Sequence, residues 1–346
     1  MLDPAHWRQA DLGDGPPLLV VVVDTEEEFP WQETVSRENV STHAMAAQSR
    51  AHRIFEKYGI VPTYVIDFPV ASQPDAYGPL KELHEGGQCR IGTHLHPWVN
   101  PPFEEEVNNR NSYPGNLPRA QEEAKLRRLT EEVGARFGIR PAIYKAGRYG
   151  VGPNTTGILA ALGYRIDLSV VPRSDFRAED GPDFRACSAR PYWFGHPDIL
   201  EIPLSVGYTG LMAALGWSGW SRISSPAGRA LRLGALSSRL RLLERLILTP
   251  EGITHTEHRR LTRALLKTGH RVFSFTYHSP SLEPGCTPYV RNDADLAVFL
   301  DRMDRYFDWF INSLGGTAAT PEEILAIASE RRQASRGAAE VSRRAS

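Results

Sequence analysis

Cysteine is scarce in this chain. Three residues in 346, Cys89, Cys187 and Cys286, stand far apart with no Cys-x-x-Cys spacing. That scatter excludes a disulfide framework and a cysteine-based zinc or redox motif, and it suits reduced thiols. Long apolar runs are missing too. The longest early stretch, residues 18–23, is far shorter than the roughly 20 residues a membrane-spanning helix needs. The first 15 residues are polar and acidic, without a charged start and apolar centre, so no signal peptide is read and a cytoplasmic location is expected. Nor does one sign of charge prevail. Forty Lys and Arg against 41 Asp and Glu give a net charge of -1, which offers no whole-chain case for nucleic-acid binding.

What remains is an ordinary globular composition, 41% hydrophobic and 23% charged, with enough apolar material to bury a large core. Seven short segments rich in Val, Ile, Tyr and Phe read as buried strands: 18–23, 61–66, 89–92, 142–145, 164–167, 199–203 and 272–277. Helical patterns lie between most of them, over 44–58, 79–85, 119–137 and 154–162, each stopping at a glycine. This alternation predicts an α/β barrel or a doubly wound sheet. Polar residues choose between the two. Asp24, Glu26, Asp67, His94, His96, Arg148, Asp167 and His278 all fall at or just beyond C-terminal strand ends. A barrel brings all those ends to one site, whereas an open sheet gathers only those near its switch point.

The expected organisation is an N-terminal extension over 1–17, a barrel over 18–315, and a C-terminal helix within 316–346 that gives way to an unstructured tail after about Glu330. Residues 213–268 read as an inserted helical segment, longer than a crossover requires. It holds Trp217, Trp220 and a basic run of Arg222, Arg229, Arg232, Arg239, Arg241 and Arg245, with Leu236, Leu240, Leu243 and Ile247 as a helical apolar stripe. An extra helical layer is one reading of it; peripheral contact with anionic lipid or a phosphorylated lipid-linked substrate through 222–245 is the other.

The chemistry concentrates in two short motifs. In Gly92-Thr93-His94-Leu95-His96 the two histidines sit at i and i+2, so on a strand both imidazoles project to one face. In Asp24-Thr25-Glu26 two carboxylates share the same spacing, while Glu27 and Glu28 read as a solvated acidic loop. Histidine nitrogens and carboxylate oxygens together suit a divalent metal such as Zn²⁺.

These motifs, with Gly147-Arg148-Tyr149-Gly150, Asp167-Leu168-Ser169 and Thr276-Tyr277-His278-Ser279-Pro280, resemble in their order the polysaccharide deacetylase family, the carbohydrate esterases that include chitin and peptidoglycan deacetylases. The resemblance runs from about Leu18 to Phe310 and is nearest to members associated with surface-polysaccharide assembly. It implies a distorted (β/α)7 barrel and metal-dependent removal of acetyl groups, most often N-acetyl, from a glycan or its precursor. By resemblance Asp24 is the general base, Glu26, His94 and His96 are the metal ligands, and His278 is the general acid. Arg148 would hold the catalytic aspartate, and Asp167 would orient His278. The chain departs from the family in spacing its histidines one residue apart rather than three, and in carrying Glu26 where the second aspartate is usual. Trp31, Tyr113, Tyr149, Trp193 and Trp217 are candidates for stacking on sugar rings. Two other readings stay open: a glycoside hydrolase using Asp24 with Glu26 or Asp167, and a non-catalytic glycan-binding relative.

Overall fold

Seven parallel strands carry the fold. In sheet order they are β11 (Val272–His278), β2 (Leu18–Thr25), β3 (Thr63–Ile66), β4 (Arg90–Leu95), β5 (Ile143–Ala146), β6 (Ile166–Asp167) and β8 (Ile199–Glu201). They are the seven strands expected from the sequence, each end displaced by three residues or fewer. The computed structural model describes residues 3–31, 33–195, 198–214 and 242–344.

Strand pairing does not close the ring, because β8 and β11 are not partners. A backbone bridge spans them instead. The Leu248 amide donates to the Ser205 carbonyl (2.9 Å), and the Thr276 amide donates to the Leu248 carbonyl (3.1 Å). The result is a mixed α/β, barrel-like sheet in which two short antiparallel strands fill the gap: β9 (Val206–Thr209) and β10 (Glu244–Ile247). A second antiparallel edge is built by β7 (Tyr192–Phe194), which pairs with β8 and with β1 (Arg8–Gln9) of the N-terminal extension.

Period-2 alternation divides the core. Val20 and Val22 of β2, Val65 of β3, Ile143 of β5, Ile166 of β6, Leu200 of β8 and Val272 of β11 pack together on the inner face. Leu19, Val21, Val23, Tyr64, Tyr144 and Phe273 point the other way, toward the helices. Those helices include α1 (Ser49–Lys57), α2 (Phe68–Ser72), α3 (Pro74–Glu85), α4 (Arg119–Phe137) and α5 (Thr155–Leu162). Helix α3 starts earlier than expected: Pro74 occupies its first position, where a missing amide hydrogen costs nothing, and Pro79 lies inside it.

Two expectations are overturned. The insertion is not wholly helical: after α6 (Leu211–Ala214), Glu244–Ile247 is the strand β10, followed by α7 (His255–Leu266). Leu246 and Leu248 are buried at period 2, so the spacing of Leu243 and Ile247 that read as helical belongs to an extended segment. Trp217, Trp220, Leu236, Leu240 and Arg222 to Arg241 lie outside the described residues. At the C-terminus no unstructured tail begins at Glu330. Beyond α8 (Asp293–Asp308) and β12 (Thr317–Ala318), α9 runs from Pro321 to Arg344, as its Ala, Glu and Arg content favours. Its Ile324 and Ala328 cover the inner apolar cluster where β12 pairs with the start of β2. Among the described residues no helix is long and apolar enough to cross a membrane.

Candidate active site

The alternation that points Val20 and Val22 inward also points Asp24 inward, and Glu26 follows just past the strand. On β4 the same rule places His94 on the inner face, and His96 continues the series beyond Leu95. Two glycines make room. A Cβ at Gly92 would lie 2.9 Å from the Ile143 carbonyl oxygen, and one at Gly147 would lie 2.4 Å from Cδ2 of His96.

Glu26, His94 and His96 converge as the sequence suggested. Oε2 of Glu26 lies 3.4 Å from Nε2 of His94 and 3.5 Å from Nε2 of His96. Around an ion with bonds of about 2.1 Å, tetrahedral ligand atoms stand about 3.4 Å apart, so this spacing fits Zn²⁺. The remaining atoms agree. His94 donates Nδ1–H to the Lys145 carbonyl (3.0 Å) and His96 donates Nδ1–H to Oε2 of Glu27 (2.8 Å), which leaves both Nε2 lone pairs facing Glu26. Oε1 of Glu26 is buried without a hydrogen-bond partner. Burial holds His94 well below its ordinary pKa and His96 down at about 4, so both rings are neutral, as ligation requires. Burial and the negative charges of Asp24, Glu27, Asp67 and Glu251 push Glu26 well above the usual carboxylate value, a repulsion that a divalent cation would relieve.

Glu27 does not belong to a solvated loop. It is fully buried, accepting from His96, from Nε1 of Trp98 (2.7 Å) and making its backbone amide bond to Oδ2 of Asp67 (2.7 Å). Trp98 also stacks on His96, with ring centroids 4.2 Å apart. The sequence placed three glutamates in a row; the strand geometry sets Glu26 against the two histidines and Glu27 behind His96, and leaves Glu28 to accept from Ser41 and the Ala44 amide.

Asp24 stands beside this cluster, gripped by Lys145. Nζ of Lys145 donates to both carboxylate oxygens (2.5 and 2.7 Å) and to Oγ1 of Thr276 (3.1 Å). Burial alone would raise the Asp24 pKa, but the Lys145 ammonium and the His278 ring outweigh it and hold the carboxyl below its usual value. On the far side, Nε2 of His278 lies 3.8 Å from Oδ2 of Asp24. Nδ1 of His278 meets Oε2 of Glu251 at 2.9 Å, and Glu251 also accepts from the His278 amide (3.0 Å) and from Oγ of Ser281 (2.7 Å). Burial would lower the His278 pKa; Glu251 and Asp24 reverse that and raise it.

Two roles expected from the sequence fall to other residues. Arg148 does not reach Asp24. Its backbone and that of Tyr149 are left-handed (φ 51° and 58°), and its guanidinium stacks over Tyr113 at 4.2 Å and donates to Asn109 (2.9 Å) and Ser112. Lys145, three residues earlier on β5 and inward with Ile143, does what was expected of it. Asp167 does not orient His278 either. Ile166 faces the inner cluster, so Asp167 points outward, where Ser169 Oγ donates to it (2.6 Å) beside the buried Glu201. Glu251, from the loop after β10, takes that place. Lys145 was legible from the parity of β5; Glu251 carried no signal except a Pro-Glu-Gly turn.

The aromatic candidates divide as well. Trp31 lies edge-on to His278 (4.7 Å) and to Tyr289 (5.6 Å), and Tyr149 sits beneath Nζ of Lys145 (5.5 Å). Tyr113 is buried under Arg148, Trp193 is buried on β7 against Arg332 of α9, and Trp217 is outside the described residues.

No protein-family model and no curated protein matches the chain in sequence. Solved structures similar to it include a Mycobacterium smegmatis protein described as a polysaccharide deacetylase, at 17% identity and a TM-score of 0.49 over 88% of this chain and 89% of that one. The peptidoglycan deacetylase PdaC of Bacillus subtilis is similar at 10% identity and a TM-score of 0.44 over 96% and 98%. The chitin deacetylase of the fungal pathogen Colletotrichum lindemuthianum is similar at 11% identity and a TM-score of 0.43 over 91% and 89%.

Proposed function

We propose that this chain is a zinc-dependent deacetylase that hydrolyses the acetamide of an N-acetylated glycan, either a surface polysaccharide or its precursor. One observation carries the reading: a histidine pair and a carboxylate converge at ligand spacing, with a paired carboxylate and an oriented histidine beside them.

Glu26, His94 and His96 would hold the ion. When bound, such an ion polarises the acetyl carbonyl and lowers the pKa of a water beside it. Asp24, fixed by Lys145, would accept a proton from the attacking water. His278 keeps Nδ1 on Glu251 and so presents Nε2 toward Asp24 and the reacting face. Glu251 and Asp24 raise its pKa and favour the protonated ring, which would give its proton to the departing sugar nitrogen. Trp31 walls the acid side of the site and offers an apolar ring surface to a sugar. The free thiols Cys89, Cys187 and Cys286 suit a reducing, cytoplasmic setting.

The direct test is acetate release from N-acetylated oligosaccharides by the zinc-loaded chain. Release that disappears in His94→Ala and Asp24→Asn supports the reading. Release of reducing ends without acetate would replace it with glycoside hydrolysis, and glycan binding with neither product would make the chain a binding protein.

A further inference from the structure

A second polar cluster lies on the hairpin that bridges β8 and β11, outside the set of residues assigned above. Arg245 on β10 stands opposite Tyr208 on β9. From the loop after β6, Arg173 places its guanidinium carbon 5.1 Å from the centroid of the same Tyr208 ring. Arg245 donates to Oγ of Ser174, its Nε is buried with no hydrogen-bond partner, and among the described residues neither arginine meets a carboxylate. The same loop shows what satisfied arginines look like. Arg177 pairs with Asp175 at 2.9 Å and Arg185 with Asp183 at 2.7 Å, so the carboxylates nearest to Arg173 in sequence are engaged elsewhere.

Two half-buried cations that share a tyrosine and lack a counter-ion repel one another, and a low-dielectric setting makes that costly. Burial and the nearby Arg173 charge together lower the Arg245 pKa. Arg173 is also held in the left-handed region (φ 63°), with its amide bonded to the Phe184 carbonyl (3.1 Å), a conformation that non-glycine residues adopt at a cost. Tyr149 connects this cluster to the reaction centre: it lies within electrostatic reach of Asp24, Glu251 and Glu26, and Arg245 lies within reach of Tyr149.

We propose that Arg173 and Arg245 form a subsite for an oxyanion, a phosphoryl or carboxylate group, carried by the glycan that the metal centre deacetylates. The inference rests on the deacetylase reading for the identity of the ligand, but the site itself does not. Two guanidinium forks recognise an oxyanion through parallel N–H bonds; the Tyr208 ring supports the Arg173 fork, and Ser174 holds that of Arg245. The chain then acts on an acetylated sugar bearing a negative charge, and a neutral acetylated oligosaccharide is a poorer substrate.

Inorganic phosphate is the first probe, titrated calorimetrically into the full chain at low ionic strength after chelation of metal. The expected result is saturable binding that weakens about tenfold in Arg245→Gln and in Arg173→Gln, is partly restored in Arg245→Lys, and persists in His94→Ala. The second arm compares deacetylation of N-acetylglucosamine 1-phosphate, an N-acetylated oligosaccharide containing uronate, and a neutral N-acetylated oligosaccharide. Preference for one of the charged substrates over the neutral one should fall about tenfold in the arginine variants, and which charged substrate shows it identifies the anion. Phosphate binding that is absent, or that is the same in folded arginine variants, overturns the proposal. Arginine-dependent phosphate binding with no turnover of any acetylated substrate keeps the anion site and removes the deacetylase reading.

Discussion

Glu251 and His278 form the most informative pair in the site. Their Oε2 to Nδ1 distance is 2.9 Å, and the glutamate also accepts from the histidine's own backbone amide. The carboxylate thereby fixes ring orientation, holds the proton on Nδ1 and favours the imidazolium. Its negative charge raises the His278 pKa against the effect of burial. Removing that charge lowers the pKa, so His278 loses its proton at lower pH. In Glu251→Gln the alkaline limb of the kcat profile is expected to move to lower pH, with kcat at neutral pH reduced about tenfold or more. An unshifted alkaline limb would show that Glu251 does not act through His278.

Lys145 and Arg148 make opposite predictions. Lys145 is buried on Asp24, while Arg148 stacks on Tyr113 and bonds Asn109. Lys145→Met should destabilise the fold by about 3 kcal/mol, because it leaves a buried carboxylate without its partner. It should also lower kcat about a hundredfold, since Asp24 can no longer stay ionised in place. Arg148→Ala should change kcat only a few-fold. Denaturant melts and steady-state kinetics on both variants check this, and the reverse ranking would return the role to Arg148.

His96 has its own support. Glu27 receives the Nδ1 proton of His96 and is itself held by Trp98 and Asp67. In Glu27→Gln that acceptor loses its charge, and zinc affinity should drop about 10- to 100-fold without loss of the three ligands. Competition with a chromogenic chelator measures it; unchanged affinity would mean that Glu27 only packs.

On the outer face of the sheet, Asp167 and Glu201 are buried beside one another. Burial raises Asp167 to about 6 and lifts Glu201 well above its ordinary value. Both pKa values are higher in the folded chain than in the unfolded one. Their contribution is therefore full at low pH and is lost as pH rises from 3.8 through about 6, where the folded state must ionise a buried pair. Glu201→Gln keeps the acceptor that the Val170 amide uses (3.0 Å) while removing one charge. Its melting temperature should match the parent near pH 4 and exceed it at pH 8, on the order of 3 °C. Parallel pH profiles for the two proteins would contradict this.

Much of the architecture was legible because buried parallel strands advertise themselves as short β-branched runs, and all seven were found. Site residues on those strands followed from parity. Asp24 continues the inward series of Val20 and Val22, and His94 with His96 repeats the period on β4. The same rule speaks against Asp167, which was expected to orient His278: Ile166 and Leu168 are the apolar inward pair on β6, and the aspartate between them faces out. Glu251 was not legible. It comes from a loop held by long-range contacts, with His258 of α7 on the Thr249 carbonyl (2.7 Å) and Arg302 of α8 on the Pro250 carbonyl (3.0 Å), and such contacts leave no local pattern. Glu27 was misread for a related reason: runs of glutamate are usually solvated, and only the fold brings Trp98 and His96 over one of them.

The central claim is that Glu26, His94 and His96 bind an ion that makes the chain a deacetylase. The most direct measurement is acetate released from an N-acetylated oligosaccharide by chelator-stripped protein as Zn²⁺ is added back. The account predicts that release is absent in the stripped protein, rises linearly to one equivalent of zinc and then levels off, and does not return in His96→Ala. Zinc that binds at one equivalent with no acetate released, or acetate release that is indifferent to zinc, would contradict it.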